Sequence, residues 1–120
     1  MRIFILEDDQ RRIDTFRETL KREHSLYFVT DVKSAIDLHE SDGPFDMYFL
    51  DHDLDGRVFV DSNEYNTGYQ FAKYLITKDI SNATIIVHSL NIEGGGKMVD
   101  IIPNAKRIPF INMYSFLIDI

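Results

Sequence analysis

The sequence contains no cysteine, and none of its apolar runs approaches the ~20 residues that a membrane-spanning helix needs. The lack of cysteine excludes disulfides, thiol catalysis and metal sites built from thiolates. The amino terminus, MRIFILEDD, also lacks the long apolar region and the small-residue cleavage site of a signal peptide. We therefore expect a cytoplasmic protein without a membrane span.

Basic residues are also scarce, since 13 Lys and Arg face 20 Asp and Glu and leave a net charge of -7. This charge disfavours duplex DNA as a partner, because nonspecific DNA binding depends on neutralising phosphates with Lys and Arg. It does not exclude a small phosphate ligand, because a divalent cation in an acidic pocket reverses the sign of the local field.

What is present fits a single domain spanning residues 1–120. The chain is 44% hydrophobic and 28% charged, and no linker or internal repeat divides it. Short apolar runs predict five strands, at residues 2–6, 26–30, 45–50, 83–87 and 105–108. Apolar residues at helical spacing predict helices from 10 to about 23, 32 to about 40, 67 to about 76 and about 97 to 102. The apolar tail FINMYSFLIDI predicts a last helix that covers the sheet, with a dimer surface as the alternative.

The alternation of strands and helices predicts parallel pairing with right-handed crossovers, and wholly apolar strands predict burial on both faces. The expected fold is therefore α/β, an open doubly wound sheet with helices on both sides. Gly94, Gly95 and Gly96 are interpreted as a flexible turn, because the run lacks the spacing and the lysine of a phosphate-binding P-loop.

Acidic residues stand directly after two of the predicted strands. Asp8 and Asp9 follow the first strand, and Asp51 and Asp53 follow the third. The carboxyl ends of neighbouring parallel strands meet at one edge of the sheet, and carboxylate oxygens suit Mg²⁺ and Mn²⁺. All four are therefore candidate metal ligands, although Asp9 is equally suited to the amino end of a helix.

Two histidines stand at the same predicted edge, His52 beside Asp51 and His88 after the fourth strand. An imidazole titrates near neutral pH and can protonate a leaving alkoxide or activate water, so His88, His52 and Asp51 are the candidate catalytic residues. Ser89 and Asn91 are candidates for orienting phosphate oxygens. Packing roles for the histidines, and capping of the following turn by Ser89 and Asn91, are the structural alternatives.

The stretch FLDHDLDG also has the beginning of an EF-hand calcium loop. The matching positions are Asp51, Asp53, Asp55 and Gly56. Two features count against calcium, since Ser62 stands at position twelve, where the pattern requires Glu, and a strand precedes the loop where a helix is required. The polar segment 51–66 is instead interpreted as a functional loop, and closure of residues 55–66 over a ligand and surface packing of the same residues are both open interpretations.

Over essentially its whole length the chain resembles a response-regulator receiver. The matching positions are the acidic pair Asp8-Asp9, Asp51 at the end of strand three, Ser89 after strand four and Pro109-Phe110 after strand five. The resemblance implies a flavodoxin-like (CheY-like) sheet of order 2-1-3-4-5. It also implies that the acids hold Mg²⁺ and that Asp51 accepts a phosphoryl group.

Departures from ordinary receivers point to a narrower group. Ile108 stands where receivers carry a lysine before the proline, which leaves Arg107 or Lys106 as the nearest cation, and ordinary receivers carry neither His52 nor His88. Together, the fragments LEDD, LDHDL, NTGYQFAKYL, HSLN and RIPF resemble the cyclic-phosphate processing receiver domains. This resemblance implies a metal-dependent site that acts on cyclic phosphate ends or cyclic nucleotides.

We therefore expect a phosphoesterase that uses Mg²⁺ or Mn²⁺, in which metal-bound water attacks a cyclic phosphate. His88 or His52 would transfer the proton, and Ser89, Asn91 and Arg107 would bind the phosphate. One alternative is a receiver-type module, phosphorylated on Asp51 or noncatalytic, that signals through a partner protein or a homodimer. Another is a protein that binds a cyclic nucleotide without cleaving it.

Overall fold

A computed structural model describes all residues, 1–120, and its centre is one parallel sheet. The strands are β1 (Arg2–Leu6), β2 (Ser25–Val29), β3 (Met47–Leu50), β4 (Thr84–Val87) and β5 (Lys106–Arg107). Every neighbouring pair is parallel, and the order is β2-β1-β3-β4-β5. The predicted flavodoxin-like order is confirmed, although β5 is only two residues long.

Helices follow the strands on both sides of the sheet. They are α1 (Gln10–Thr19), α2 (Val32–Asp42), α3 (Gly68–Leu75), α4 (Ile92–Ile101) and α5 (Tyr114–Asp119), with a 3₁₀ turn at Phe110–Asn112. The first four begin at polar residues whose side chains accept backbone N–H groups, namely Asp9, Asp31, Thr67 and Asn91. None of these helices combines the length and the apolar character needed to cross a membrane.

The sheet separates two apolar cores, because strand side chains alternate between its faces. Phe4 and Leu6 of β1 face the larger core, which also contains residues of α2, α3 and α4. Ile3 and Ile5 face the smaller core, which contains Phe16 of α1 and residues of the carboxyl-terminal segment. The predicted three-layer α/β/α arrangement and the packing of the apolar tail against the sheet are both confirmed.

The predicted glycine turn at residues 94–96 is wrong, because all three glycines lie in α4. The helix begins earlier than expected because the Asn91 side chain accepts a hydrogen bond from the Gly94 amide. A Cβ atom on Gly94 would lie 2.6 Å from the ring of His52, and one on Gly95 would lie 3.1 Å from Arg107. At two of the three positions, glycine therefore lets the helix approach neighbouring side chains closely.

Candidate functional site

A cavity of about 530 Å³ opens at the carboxyl edge of the sheet. Among the residues lining it are the acids Glu7, Asp8, Asp9, Asp31, Asp51, Asp53 and Asp55, and also Arg12, Arg57, Ser89 and Asn91. The fold therefore brings together six of the residues predicted from the sequence: Asp8, Asp9, Asp51, Asp53, Ser89 and Asn91. Three others, His52, His88 and Arg107, do not line the cavity.

The strand register explains which side chains meet at the floor of the cavity and directly beneath it. Ile5, Phe49 and Ile86 are paired across β1, β3 and β4, and all three face the smaller core. The ladder continues beyond the strands, since the Asp51 amide donates to Leu6 O and the His88 amide donates to Leu50 O. Two residues past each paired residue, the same face of the sheet therefore carries Glu7, Asp51 and His88 in one row.

These three residues form a buried cluster whose possible ligand atoms all lie within 4.8 Å of one another. The Glu7 carboxylate lies 2.9 Å from Nε2 of His88 and also accepts hydrogen bonds from the backbone amides of Asp8 and Asp9. The His88 ring packs edge-on against Phe16 and Phe110, and its Nδ1 has no hydrogen-bond partner. Glu7 is therefore a site residue that the sequence interpretation missed.

Burial dominates the ionisation of this cluster. Burial raises the pKa of Glu7 to about 7, although hydrogen bonding to Asp9 and the nearby charge of Arg12 oppose the rise. Burial likewise raises the pKa of Asp51 to about 7; His88 opposes this rise only when it is protonated, and the charge of Glu7 adds to it. Burial lowers the pKa of His88 to about 4. At neutral pH His88 is therefore uncharged, and Glu7 and Asp51 titrate together as a coupled pair.

The two carboxylate oxygens of Asp51 differ in their contacts. Its Oδ1 accepts a hydrogen bond from the His52 amide at 2.8 Å. Its Oδ2 accepts no hydrogen bond from an amide or a hydroxyl group and lies 3.7 Å from Nη1 of Arg12, and the Asp51 carboxyl also makes a side-chain hydrogen bond with the Glu7 carboxyl. Oδ2 is thus the Asp51 atom that is free to react or to bind a ligand.

The oxygen donors at the cavity floor suit a hard divalent cation. Glu7 and Asp51 contribute carboxylates whose raised pKa values show that burial leaves their negative charge poorly compensated, and Asp8 adds a third carboxylate. Asp9 is engaged differently, because its side chain caps α1 by accepting from the amides of Arg11 and Arg12. The contacts of Asp9 are therefore those of a residue at the amino end of a helix. Glu7, Asp8 and Asp51 are the three carboxylates that remain for a cation.

His52 is fully buried and is bonded through both ring nitrogens. Its Nδ1 lies 2.7 Å from the Asp53 carboxylate, and its Nε2 lies 2.8 Å from Oγ of Ser62. The ring also packs closely against Gly94 of α4. These contacts join the loop after β3 to α4, and they leave neither nitrogen facing the cavity.

Asp53 organises the same loop, although it was predicted as a metal ligand. Its carboxylate accepts from His52, from the Asn91 side chain and from the backbone amides of Phe59 and Val60. Burial alone would raise the pKa of Asp53, but these hydrogen bonds outweigh it and lower the pKa. With four donors on its two oxygens, Asp53 has little capacity left for a cation.

Of the three predicted phosphate-binding residues, two line the cavity and the third lies behind its wall. Ser89 lines the cavity, and its Oγ accepts from the Asn91 amide, so its O–H can still donate. Asn91 caps α4 with its oxygen and donates to Asp53 with its nitrogen. Arg107 lies behind the cavity wall, where it donates to the Ser89 carbonyl at 2.8 Å and packs against Gly95.

The tip of the loop after β3 is connected directly to the cavity. Asp55 and Gly56 both have positive φ values, 62° and 67°, and the Gly56 amide donates to Oδ2 of Asp8. Beyond this tip, the residues Val58 and Phe59 are 75% and 76% exposed at the rim. Asp8 therefore connects the loop tip to the acidic floor.

Comparisons with known proteins agree with this geometry. A family model described as "Cyclic-phosphate processing Receiver domain" matches residues 2–104. No curated protein matches the chain by sequence.

Solved structures share the fold at low sequence identity. The phosphorylated cyanobacterial phytochrome response regulator RcpA is 17% identical with a TM-score of 0.75, covering 98% of this chain and 89% of that one. The Mn²⁺-bound response regulator Rcp1 is 15% identical with a TM-score of 0.72 and the same coverage. A CheY-like receiver domain from Methylobacillus flagellatus is 18% identical with a TM-score of 0.67, covering 98% of this chain and 95% of that one.

Proposed function

The chain belongs to the family of cyclic-phosphate processing receiver domains, and from that premise we propose that it is a receiver-type signalling module whose Asp51 accepts a phosphoryl group. One observation carries the proposal: Oδ2 of Asp51 accepts no hydrogen bond from an amide or a hydroxyl group and lies at an acid-lined cavity, beside Glu7, Asp8 and Ser89. The two histidines that favoured hydrolysis are fully buried outside the cavity lining.

A divalent cation, Mg²⁺ or Mn²⁺, would be held by oxygens of Glu7, Asp8 and Asp51. Bound there, it would neutralise negative charge on a phosphoryl group and on the carboxylates around it. The Mn²⁺ in the response regulator Rcp1, which shares this fold, supports a cation in the proposal.

The proposed transfer uses Asp51 as the nucleophile and a small phosphate donor such as acetyl phosphate. A bond forms between Oδ2 and phosphorus, while the bond from phosphorus to the acetate oxygen breaks and acetate leaves with the electron pair. The Ser89 hydroxyl, whose oxygen already accepts from the Asn91 amide, can donate its hydrogen to a phosphoryl oxygen.

Labelling with acetyl phosphate and Mg²⁺, followed by intact mass measurement, tests this function. We expect one phosphoryl group per chain in the wild type, in an acyl phosphate that hydroxylamine removes. Asp51→Asn should abolish the label. Asp55→Asn is the matched control, because Asp55 lines the same cavity but lies exposed at the loop tip. An unlabelled wild type, or a label that survives in Asp51→Asn, would contradict the proposal.

A second candidate, hydrolysis of a cyclic phosphate, is favoured by the size of the cavity. A volume of about 530 Å³ falls in the usual range of small-molecule pockets and exceeds what one phosphoryl group needs. The apolar side chains of Val58, Phe59 and Leu90 also line it and offer contacts to a nucleoside. The description of the family points in the same direction.

Incubation with Mn²⁺ or Mg²⁺ and a panel of 2′,3′-cyclic and 3′,5′-cyclic phosphates separates these candidates. Turnover that is lost in both Asp51→Asn and His88→Ala would support hydrolysis. Saturable binding without turnover would support a cyclic-nucleotide binding protein. If neither turnover nor binding is observed and Asp51 is still labelled, the receiver function is the one candidate that the results support.

A further inference from the structure

We propose that Arg12 is the phosphate-binding cation of this cavity and holds the phosphoryl oxygens at Asp51. The inference rests on the proposed function, because it assigns a residue to recognition of the group that Asp51 would carry. It answers a problem posed by the cavity, which is lined by seven acids and must still bind an oxyanion.

The other candidate cations near the site are already committed. Arg57 lines the cavity, but its guanidinium pairs with both carboxylate oxygens of Glu64. Arg107 donates to the Ser89 carbonyl behind the wall. Ile108 replaces the lysine that receivers carry before the strand-five proline. Of the two arginines that line the cavity, Arg12 is therefore the one whose guanidinium is not hydrogen-bonded to a carboxylate.

Arg12 is directed at the reactive atoms by the helix cap. Asp9 accepts from the Arg12 amide and fixes the first turn of α1, so that the Arg12 side chain extends over the strand ends. Its Nη1 lies 3.7 Å from Oδ2 of Asp51 and 3.6 Å from Oε1 of Glu7. Its guanidinium carbon lies 5.2 Å from the ring centroid of Phe110, which supports one face of the group.

The guanidinium has donors to spare. Both carboxylate contacts are ion pairs too long for hydrogen bonds, and the Arg12 side chain donates no hydrogen bond within the protein. It is 23% exposed, which leaves it accessible from the cavity. A planar guanidinium can donate two parallel hydrogen bonds to a phosphoryl group, and such charge-assisted bonds are stronger than neutral ones.

The test compares acetyl phosphate labelling rates at saturating Mg²⁺ in the wild type, Arg12→Gln, Arg12→Lys and Arg11→Gln. Arg11 is the matched control, because it is the neighbouring arginine in the same turn of α1 and its side chain is 94% exposed. We expect Arg12→Gln to lower the rate by about tenfold or more, the order expected when one charged hydrogen bond is lost. Arg12→Lys should retain part of the rate, and Arg11→Gln should retain all of it.

Three further measurements separate phosphate binding from other roles. Circular dichroism melting shows whether each variant is folded. If Arg12→Gln does not fold, Arg12→Lys, which keeps the positive charge, provides the comparison with the wild type. Calorimetric titration with Mg²⁺ alone detects a loss of cation affinity. Titration with inorganic phosphate at saturating Mg²⁺ should show weaker binding in Arg12→Gln than in Arg11→Gln.

The outcomes distinguish this inference from the proposed function. Equal labelling rates and equal phosphate affinities in the wild type and Arg12→Gln would overturn the role of Arg12. So would full recovery of the Arg12→Gln rate when Mg²⁺ is raised from a concentration that saturates the wild type to one that saturates the variant, since Arg12 would then act only on the cation site. An unlabelled wild type would refute phosphorylation of Asp51, and phosphate binding would then decide the role of Arg12: Arg12-dependent binding supports it, and absent or Arg12-independent binding overturns it.

Discussion

At the scale of single residues, the site is defined by three side chains that extend one row of the sheet. Glu7, Asp51 and His88 occupy positions that would be apolar if β1, β3 and β4 continued, and they are nearly as buried as the apolar row before them. Burying carboxylates is costly, and burial is the largest cause of the raised pKa values of Glu7 and Asp51. Such a cluster is expected where charge is to be bound.

The affinity for Mg²⁺ should depend on pH because protons compete for the same oxygens. Glu7 and Asp51 have pKa values of about 7, so both hold more protons at pH 6 than at pH 8. We expect binding to weaken by about tenfold from pH 8 to pH 6 for each proton that the cation displaces. Calorimetry in buffers of different ionisation enthalpy would count these protons, and a pH-independent affinity would contradict the assignment.

Removing the buried charge of Glu7 should separate cation affinity from stability. Glu7→Gln keeps an oxygen for the amides of Asp8 and Asp9 but removes one negative charge from the cluster. We expect Mg²⁺ affinity to fall about tenfold or more while the melting temperature of the metal-free protein stays the same or rises. Glu18→Gln, at an exposed position of α1, is the control and should change neither quantity.

At the scale of secondary structure elements, the loop after β3 and the start of α4 form one unit. His52 hydrogen-bonds to Asp53 and to Ser62 through its two ring nitrogens, and the Asn91 side chain at the start of α4 donates to the Asp53 carboxylate. Close approach of α4 to His52 requires the absence of a side chain at Gly94. The local sequence of this helix therefore reflects packing more than helix propensity.

Two alanine substitutions in α4 should have opposite effects. In Gly94→Ala the new Cβ would lie 2.6 Å from the His52 ring, and we expect a loss of roughly 1 to 3 kcal/mol in the free energy of unfolding. In Gly96→Ala nothing lies within 4 Å, and we expect a gain of roughly 0.5 to 1 kcal/mol from the lower backbone entropy of the unfolded chain. Urea denaturation of both variants measures this, and equal effects would refute the packing argument.

These elements also show what a single sequence can and cannot predict. The apolar strands and the acids after them predicted the parallel sheet, the cavity edge and Asp51, because burial and alternation are local signals, whereas the strand order came from the resemblance to receivers. Glu7 needed the register between strands, and aligning the buried runs that end before Glu7, Asp51 and His88 would have found it. Arg12 depends on the orientation of α1, and Gly94 depends on the His52 ring, so neither position had a local signal.

At the scale of the whole molecule, the chain carries a net charge of -7 and concentrates acidic groups at one edge of the sheet. The folded state holds these carboxylates close together, whereas the unfolded chain separates them. A cation that binds only the folded arrangement must therefore stabilise the fold by linkage.

Divalent cations should raise the melting temperature, and the shift should grow with the logarithm of the cation concentration above the dissociation constant. At 100 times the dissociation constant we expect about 2.7 kcal/mol of added stability, which is a shift of several degrees for a domain of this size. Scanning calorimetry with Mg²⁺, against NaCl of equal ionic strength, separates site binding from screening of the net charge. Asp51→Asn should lose most of the shift and Asp55→Asn should retain it, so equal shifts in both variants would refute binding at the floor.

The hydrogen bond from the Gly56 amide to Asp8 links the acidic floor of the cavity to the exposed loop after β3. Gly56 lies only two residues before Val58 and three before Phe59, both largely exposed. Any rotation of the Asp8 carboxylate that keeps this bond carries the loop tip with it, and with the tip an aromatic ring. We therefore expect a protein that contacts Val58 and Phe59 to respond to occupancy of the cavity floor without entering the cavity.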